Sequence, residues 1–183
     1  MVSQFISSHD VTLLGDLDFD FPDGTHAIGR LDRDSEGLLL LTTDKTVTRK
    51  LFLSPQPHTR TYLVLVQNIV TAQTLKKLRE GIPLTIKNGK TYIAKPVSSE
   101  IINEPGKLYP HAADPREIYP HSWLLITLTE GKFHQVRKMV LAVKHRCLRL
   151  IRLRISNIEL GNMKPGEVKE IQENLFYDLL KEH

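Results

Sequence analysis

Leu38-Leu39-Leu40-Leu41 is an unbroken apolar run behind a charged, glycine-bounded stretch, and it predicts a short buried strand. Asp44 then stands where a helix N-cap belongs, with Val47 and Leu51 four residues apart on the inward face. Ser54-Pro55-Gln56-Pro57 must end that helix. Residues 61–66 are β-branched and apolar on both faces, which suits a central strand. Residues 71–80 read as a helix with Leu75 and Leu78 inward, closed by Gly81. Asn88-Gly89 is a hairpin turn signal that should pair residues 84–87 with 90–97. Residues 103–121 carry four prolines and little periodicity, and read as a long surface loop or insertion. A strand follows over 123–129 and a helix over 132–143. In 149–156, Ile151, Leu153 and Ile155 fall on one face, with Arg152, Arg154 and Ser156 on the other. Pro165-Gly166 turns the chain, 168–171 reads as one more strand, and Asn174 caps a last helix bearing Leu175, Phe176, Leu179 and Leu180. The expected class is α+β, a mixed, largely antiparallel sheet with flanking helices.

Composition narrows this picture without redirecting it. At 183 residues and 40% hydrophobic content, the chain can build one substantial core or two small ones. Cys147 is the only cysteine, which excludes an intrachain disulfide framework and a cysteine-based metal cluster. The opening Met1-Val2-Ser3-Gln4-Phe5 does not read as a signal peptide, and no run reaches the roughly 18 apolar residues of a membrane span. The expectation is a cytoplasmic chain without membrane contact. The net charge of +4 says less than its distribution. From Asp10 to Asp44 lie nine acidic and two basic residues; from Glu130 to Arg154 lie eight Lys/Arg and one acid. The second block could neutralise several phosphates, or simply solvate a surface.

Three segments carry candidate chemistry. In Gly29-Arg30-Leu31-Asp32-Arg33-Asp34-Ser35-Glu36-Gly37, a carboxylate lies between two arginines, next to a buried strand. Such an Asp could be kept ionised and aimed, although a surface turn with weak local ion pairs has the same composition. Arg60-Thr61-Tyr62-Leu63-Val64 sets an aromatic in an apolar strand. In Gly131-Lys132-Phe133-His134-Gln135-Val136-Arg137-Lys138-Met139, a helix would put His134, Arg137 and Lys138 on one face and Phe133, Val136 and Val140 on the other.

In this order the three segments resemble the RsuA family of pseudouridine synthases, over nearly the whole chain. Gly-Arg-Leu-Asp followed by Gly-Leu-Leu-Leu-Leu-Thr, and His-Gln-Val-Arg-Lys-Met, carry the resemblance, with Leu-Arg-Ile-Ser, Gly161 and Pro165-Gly166-Glu167 near the end. The resemblance implies the pseudouridine synthase fold and an isomerase acting on ribosomal RNA, with large-subunit (23S) rRNA the first expectation and 16S rRNA or tRNA the alternatives. It implies Asp32 as nucleophile, Tyr62 as the ring that stacks on the target base and helps remove its proton, and Arg137 as the basic partner of Asp32. Arg30 is implicated by position. No redox cofactor and no metal is required, because only protons enter or leave. The partner is RNA, as rRNA or a pre-ribosomal particle, and the chain is expected to be a monomer.

A reacting uridine must leave its stack, so basic groups must grip the flanking backbone. Arg30, Arg33, Lys132, His134, Gln135, Lys138, Arg146, Arg149, Arg152 and Arg154 are the candidates, with Arg152 and Arg154 ranked together as one strand face. The whole chain, 1–183, reads as one catalytic domain that lacks the family's Lys-Pro first strand and its small N-terminal RNA-binding module, with 103–121 as an insertion. Competing readings are a non-catalytic RNA-binding protein and a glycoside hydrolase using Asp32 with Glu36. A metal site built from His58, His111, His121, His134 or His145 lacks any close-set spacing.

Overall fold

The computed structural model describes residues 1–52, 57–85, 89–113 and 119–181. Its centre is β4 (Arg60–Gln67), the strand expected from the two-sided apolar run at 61–66. Antiparallel neighbours flank it: β8 (His121–Leu128) on one side and β9 (Cys147–Ile155) on the other. β7 (Ser98–Ile102) extends the sheet beyond β8, and β10 (Ile158–Glu159) extends it beyond β9. Both faces are covered, so β4 alternates between two cores. Leu63 and Leu65 join one with Trp123, Ile151 and Tyr109; Val64 and Val66 join the other with Leu124, Ile126 and Leu150.

Helices cover the second core. α2 (Ala72–Glu80) is capped where the sequence indicates: Thr71 accepts the Thr74 N–H at 3.2 Å, and Gly81 takes φ 106° at its end. Leu78 points into the core. β5 (Ile82–Thr85) and β6 (Thr91–Ala94) form the expected hairpin, in a sheet of their own. Its strands stop at Thr85 and Ala94; Asn88 and Lys87 lie outside the described residues. α4 (Gln135–Ala142) closes this side with Val136, Met139 and Val140 buried.

The other core is closed by α1 (Lys45–Phe52), α5 (Glu173–Leu180) and the pair β1 (His26–Ile28) with β3 (Leu40–Thr42). Asp44 caps α1, its Oδ1 accepting the Thr46 N–H at 2.7 Å. The breaker at 54–56 lies outside the described residues.

Several expectations need correction. The Leu38–Leu41 run is not one strand. β2 (Glu36–Gly37) pairs parallel with β9, and Leu40 and Leu41 belong to β3, which pairs with β1. The chain changes partner between them. The 103–121 segment is not only a surface loop: α3 (Pro105–Leu108) leads to Tyr109 and Ala112, both buried in the first core. Residues 114–118 lie outside the described residues. The 132–143 helix starts late, because His134 adopts φ 53°, ψ 29°, which a right-handed helix cannot contain. Residues 168–171 form no strand and pair with none of the described strands. α5 begins after Gln172, without a side-chain cap, so Asn174 is not its N-cap.

β9 breaks its expected alternation. Tyr62 pairs with Arg152, but Thr61 pairs with Arg154, so Leu153 is an extra residue in a bulge. Tyr62 and Thr61 face opposite ways, and Arg152 and Arg154 therefore do too.

Gly37 fixes the approach of β2 to β9. It sits at φ 102°, and a Cβ there would lie 2.4 Å from the Arg152 carbonyl oxygen. Leu38 N–H donates to that same carbonyl at 2.8 Å. Gly37→Ala should therefore cost about 3 kcal/mol through strain and overlap. The measurement is the urea unfolding midpoint; a midpoint equal to that of the parent would show that this contact does not hold the loop.

Candidate active site

The charged loop that the sequence singles out is held from four sides. Asp32 opens a turn in which its carbonyl accepts the Ser35 N–H at 2.8 Å. Before it, Leu31 N–H donates to Ser3 Oγ at 3.0 Å, tying the loop to the first residues of the chain. After it, Arg149 grips Glu36 in a two-pronged pair, Nε to Oε1 at 2.7 Å and Nη2 to Oε2 at 2.9 Å. Arg152 Nε donates to Leu38 O at 2.8 Å. From α4, Arg137 Nη2 donates to the Asp34 carbonyl and to Ser35 Oγ, the latter at 3.2 Å.

So held, Asp32 faces a cavity of about 340 Å³. Arg30, Tyr62, Lys132, His134, Gln135 and Arg152 also line it, with Arg60, Glu130, Phe133 and apolar groups such as Leu128 and Leu150. The site is thus partly apolar and partly charged, a wall type that strengthens electrostatic contacts inside it. Asp32 stays partly open to solvent. His134 Nε2 lies 3.6 Å from its Oδ1, the charge partner nearest to hand.

The candidates separate under this geometry. Asp32 and Tyr62 line the same cavity. Arg137 does not reach the Asp32 carboxylate; its guanidinium braces the loop backbone two residues further on. The predicted polar face of His134, Arg137 and Lys138 is disrupted because His134 precedes the helix. Phe133, expected inward, is 72% exposed; its ring stacks on His134 at 3.9 Å and 17°, and Lys138 Nζ sits 5.3 Å from its centroid.

Two RNA-contact candidates are otherwise employed. Gln135 is buried, its Oε1 accepting from Lys132 N and its Nε2 donating to Glu130 Oε1. Arg149 is spent on Glu36 and on the carbonyls of Ala112 and Ala113. Glu36 is thereby turned away from the cavity, which removes the second carboxylate that the hydrolase reading needs. Arg152 is 5% exposed. Arg154 stands on the opposite face, 3.5 Å from Glu159. Arg30, Arg33, Lys132 and Arg146 are exposed, and Arg30 and Lys132 stand at the cavity itself, Lys132 Nζ 4.8 Å from the Tyr92 ring centre.

Burial lowers the Arg152 guanidinium from its ordinary value; the Tyr62 hydroxyl opposes that shift, Arg60 adds to it, and Asp32 weakly opposes it. The histidines are dispersed: His58 Nδ1 is 3.0 Å from Ser156 Oγ, His145 Nδ1 2.9 Å from Gln67 O, and His121 Nδ1 2.8 Å from Tyr119 O. Among the described residues, no group of three or more metal-ligating side chains gathers. No described helix is long and apolar enough to cross a membrane.

Arg60, Glu130 and Phe133 line the cavity but are absent from the sequence-based candidates. Arg60 was legible, since it lies two residues from Tyr62 on a strand and so shares its face. Phe133 was not, because only the left-handed His134 backbone turns it outward.

A sheet-centred α+β fold that brings a clamped aspartate and a tyrosine to one cleft is the class of site the motifs imply. Residues 12–142 match the RNA pseudouridylate synthase family, and the chain belongs to it. A ribosomal large subunit pseudouridine synthase E of Vibrio parahaemolyticus is 41% identical over 149 residues, 80% of this chain and 60% of that protein. One from Xanthomonas axonopodis is 36% identical, covering 81% and 76%. Ribosomal small subunit pseudouridine synthase A of Salmonella typhimurium is 33% identical, covering 81% and 56%. The chain thus spans about 60% of the length of its Vibrio relative. A pseudouridylate synthase crystal structure superposes with a TM-score of 0.69 at 26% identity, covering 88% of this chain and 63% of that one.

Arg137→Ala removes the side chain that braces the turn behind Asp32. Turnover of the RNA substrate should fall at least tenfold, about 1.4 kcal/mol in the barrier, while RNA affinity changes less than twofold. Filter binding beside single-turnover kinetics checks this; parallel losses in both would make Arg137 an RNA contact instead.

Proposed function

We propose that this chain converts uridine to pseudouridine in ribosomal RNA, with Asp32 acting on the ribose of the target. The observation that carries the reading is the meeting of Asp32 and Tyr62 at one cleft, in a chain of the RNA pseudouridylate synthase family. Large-subunit rRNA is the proposed substrate, in keeping with the names of the Vibrio and Xanthomonas relatives. The proposed setting is the cytoplasm, with a monomer as the working form.

The reaction breaks the bond between ribose C1′ and uracil N1, turns the base, and joins C1′ to C5. The C5 proton leaves and N1 gains one, so the overall change is an isomerisation. Asp32 promotes departure of the base either by attack at C1′ or by removal of the 2′ proton. Tyr62 offers a flat face to the uracil while it is detached, and a hydroxyl for the C5 proton. Arg137 contributes by fixing the loop that carries Asp32. Arg30 and Lys132, exposed at the cleft, hold the backbone of the flipped-out nucleotide, and Lys138 with Phe133 extends that grip. Arg33, Arg146 and Arg154 add charge farther out.

Release of tritium from C5-labelled uridine tests the reading. Wild type should release tritium from 23S transcripts, and Asp32→Asn should reduce release by about 10⁴-fold or more, the loss of a group that forms or breaks bonds. RNA binding without release by either protein would favour a binding module. Release from 16S transcripts alone would move the substrate to the small subunit.

A further inference from the structure

Arg152 is a charged side chain in a place where charge is expensive. It is 5% exposed, and its Nη2 is buried without a hydrogen-bond partner among the described residues. Of its five donors, Nε is used on Leu38 O at 2.8 Å, and the Tyr62 hydroxyl stands beside the same guanidinium as a further acceptor. Asp32 influences it only at a distance, without ion-pair contact. A buried donor left unpaired costs about 1–3 kcal/mol, and more when charged. A leucine or methionine would fill that space at no such cost. Arg152 lines the same cavity as Asp32 and Tyr62. A guanidinium so placed can donate to a ligand held in that cavity.

The register narrows what that ligand atom is. Arg152 pairs directly with Tyr62 across β4 and β9, so the two side chains lie on one face, about 5 Å apart at their roots. The Leu153 bulge sets Arg152 there rather than beside Arg154. Backbone phosphates belong at the mouth, where Arg30 and Lys132 are exposed. At the depth of Arg152, the part of a flipped nucleotide that lies against the tyrosine ring is the base. Its edge presents carbonyl oxygens, and a planar guanidinium suits them.

We infer that Arg152 is a catalytic residue whose Nη2 donates to a uracil carbonyl oxygen of the target base. The inference rests on the function proposed above. When the C1′–N1 bond breaks, its electron pair stays on the uracil and spreads over N1, O2 and O4. A guanidinium N–H bonds such an oxygen more strongly once it carries that charge, which favours bond cleavage over mere binding. The same contact keeps the free base in the cleft until C5 faces C1′. Arg152 keeps all its protons; the C5 proton leaves and N1 is protonated as in the overall reaction.

The test compares wild type with Arg152→Met, Arg152→Ala and Arg152→Lys in tritium release from C5-labelled 23S transcripts, with RNA affinity measured across a salt series. Arg152→Met should lose about 100- to 1,000-fold in kcat, as for loss of one donor to a developing oxyanion. Its RNA affinity and salt slope should match wild type. Guanidinium ion at millimolar concentration should restore part of the Arg152→Ala rate and leave wild type unaffected. Arg152→Lys keeps the charge but cannot serve both Leu38 O and the base, so it should fold and lose at least tenfold. A salt slope shallower by about one would make Arg152 a phosphate contact and overturn the inference. So would wild-type kcat in Arg152→Met or Arg152→Lys. Loss without guanidinium rescue, together with a lowered melting temperature in all variants, would reduce Arg152 to a brace for Leu38. Tritium release by wild type with any of these results leaves the proposed function standing; no release by wild type removes both.

Discussion

The contact between Gly37 and the backbone of Arg152 is the constraint on which the site depends. A loop that presents a carboxylate to a cleft must be both exposed and immobile, and those demands conflict. Here two residues of parallel pairing, Glu36 with Ile151 and Gly37 with Arg152, bind the loop to the second strand of the main sheet. So short a ladder contributes little alone. It holds because Gly37 lets the backbones approach closer than any side chain would permit, and because the Arg149–Glu36 and Arg152–Leu38 bonds flank it. Once the loop is bound there, β9 determines where Asp32 stands relative to Tyr62, since β9 is the hydrogen-bonded neighbour of the Tyr62 strand.

The basic block from 130 to 154 then divides by depth. Arg149 faces the first core and binds the loop and the 112–113 backbone. Arg137 reaches the loop from the other side. Lys132, Lys138 and Arg146 keep outward positions or cover exposed rings. A charge count treats these as one electrostatic surface. The structure uses them as two sets, one that builds the cleft and one available to an RNA backbone. Only the second set should govern the salt dependence of binding.

Much of the fold could be read from the sequence because its signals were local. Thr71 and Gly81 mark both ends of α2, Asp44 starts α1, and residues 61–66 announce a strand covered on both faces. The failures share a cause as well. Leu38 to Leu41 changes partner in mid-run, Leu153 bulges, and His134 enters the left-handed region. Each is imposed by tertiary packing that no window of neighbouring residues contains. For the site, residue types and motif order were enough to bring forward Asp32 and Tyr62, two residues that line one cavity. They could not distinguish an arginine that binds phosphate from one that binds a carboxylate or a carbonyl, because those three roles differ only in depth and direction.

The irregularities also fall around the cleft. The bulge at Leu153 adjoins Arg152, the left-handed His134 adjoins Asp32, and Gly37 with its positive φ follows the Asp32 turn. A regular β9 would have kept Arg152 and Arg154 on one face, as alternation predicts. The extra residue instead frees Arg154 to meet Glu159 on one side, while Arg152 stays beside Tyr62 on the other. A regular helix from Lys132 would have put Phe133 into the core and carried His134 away on the polar face. Departures from ideal geometry have an energetic cost, and a fold keeps them where the displaced side chain serves a purpose. By that argument the left-handed residue at 134 does two things at once: it stops the helix short of the cleft, and it turns an aromatic ring outward beside Lys138.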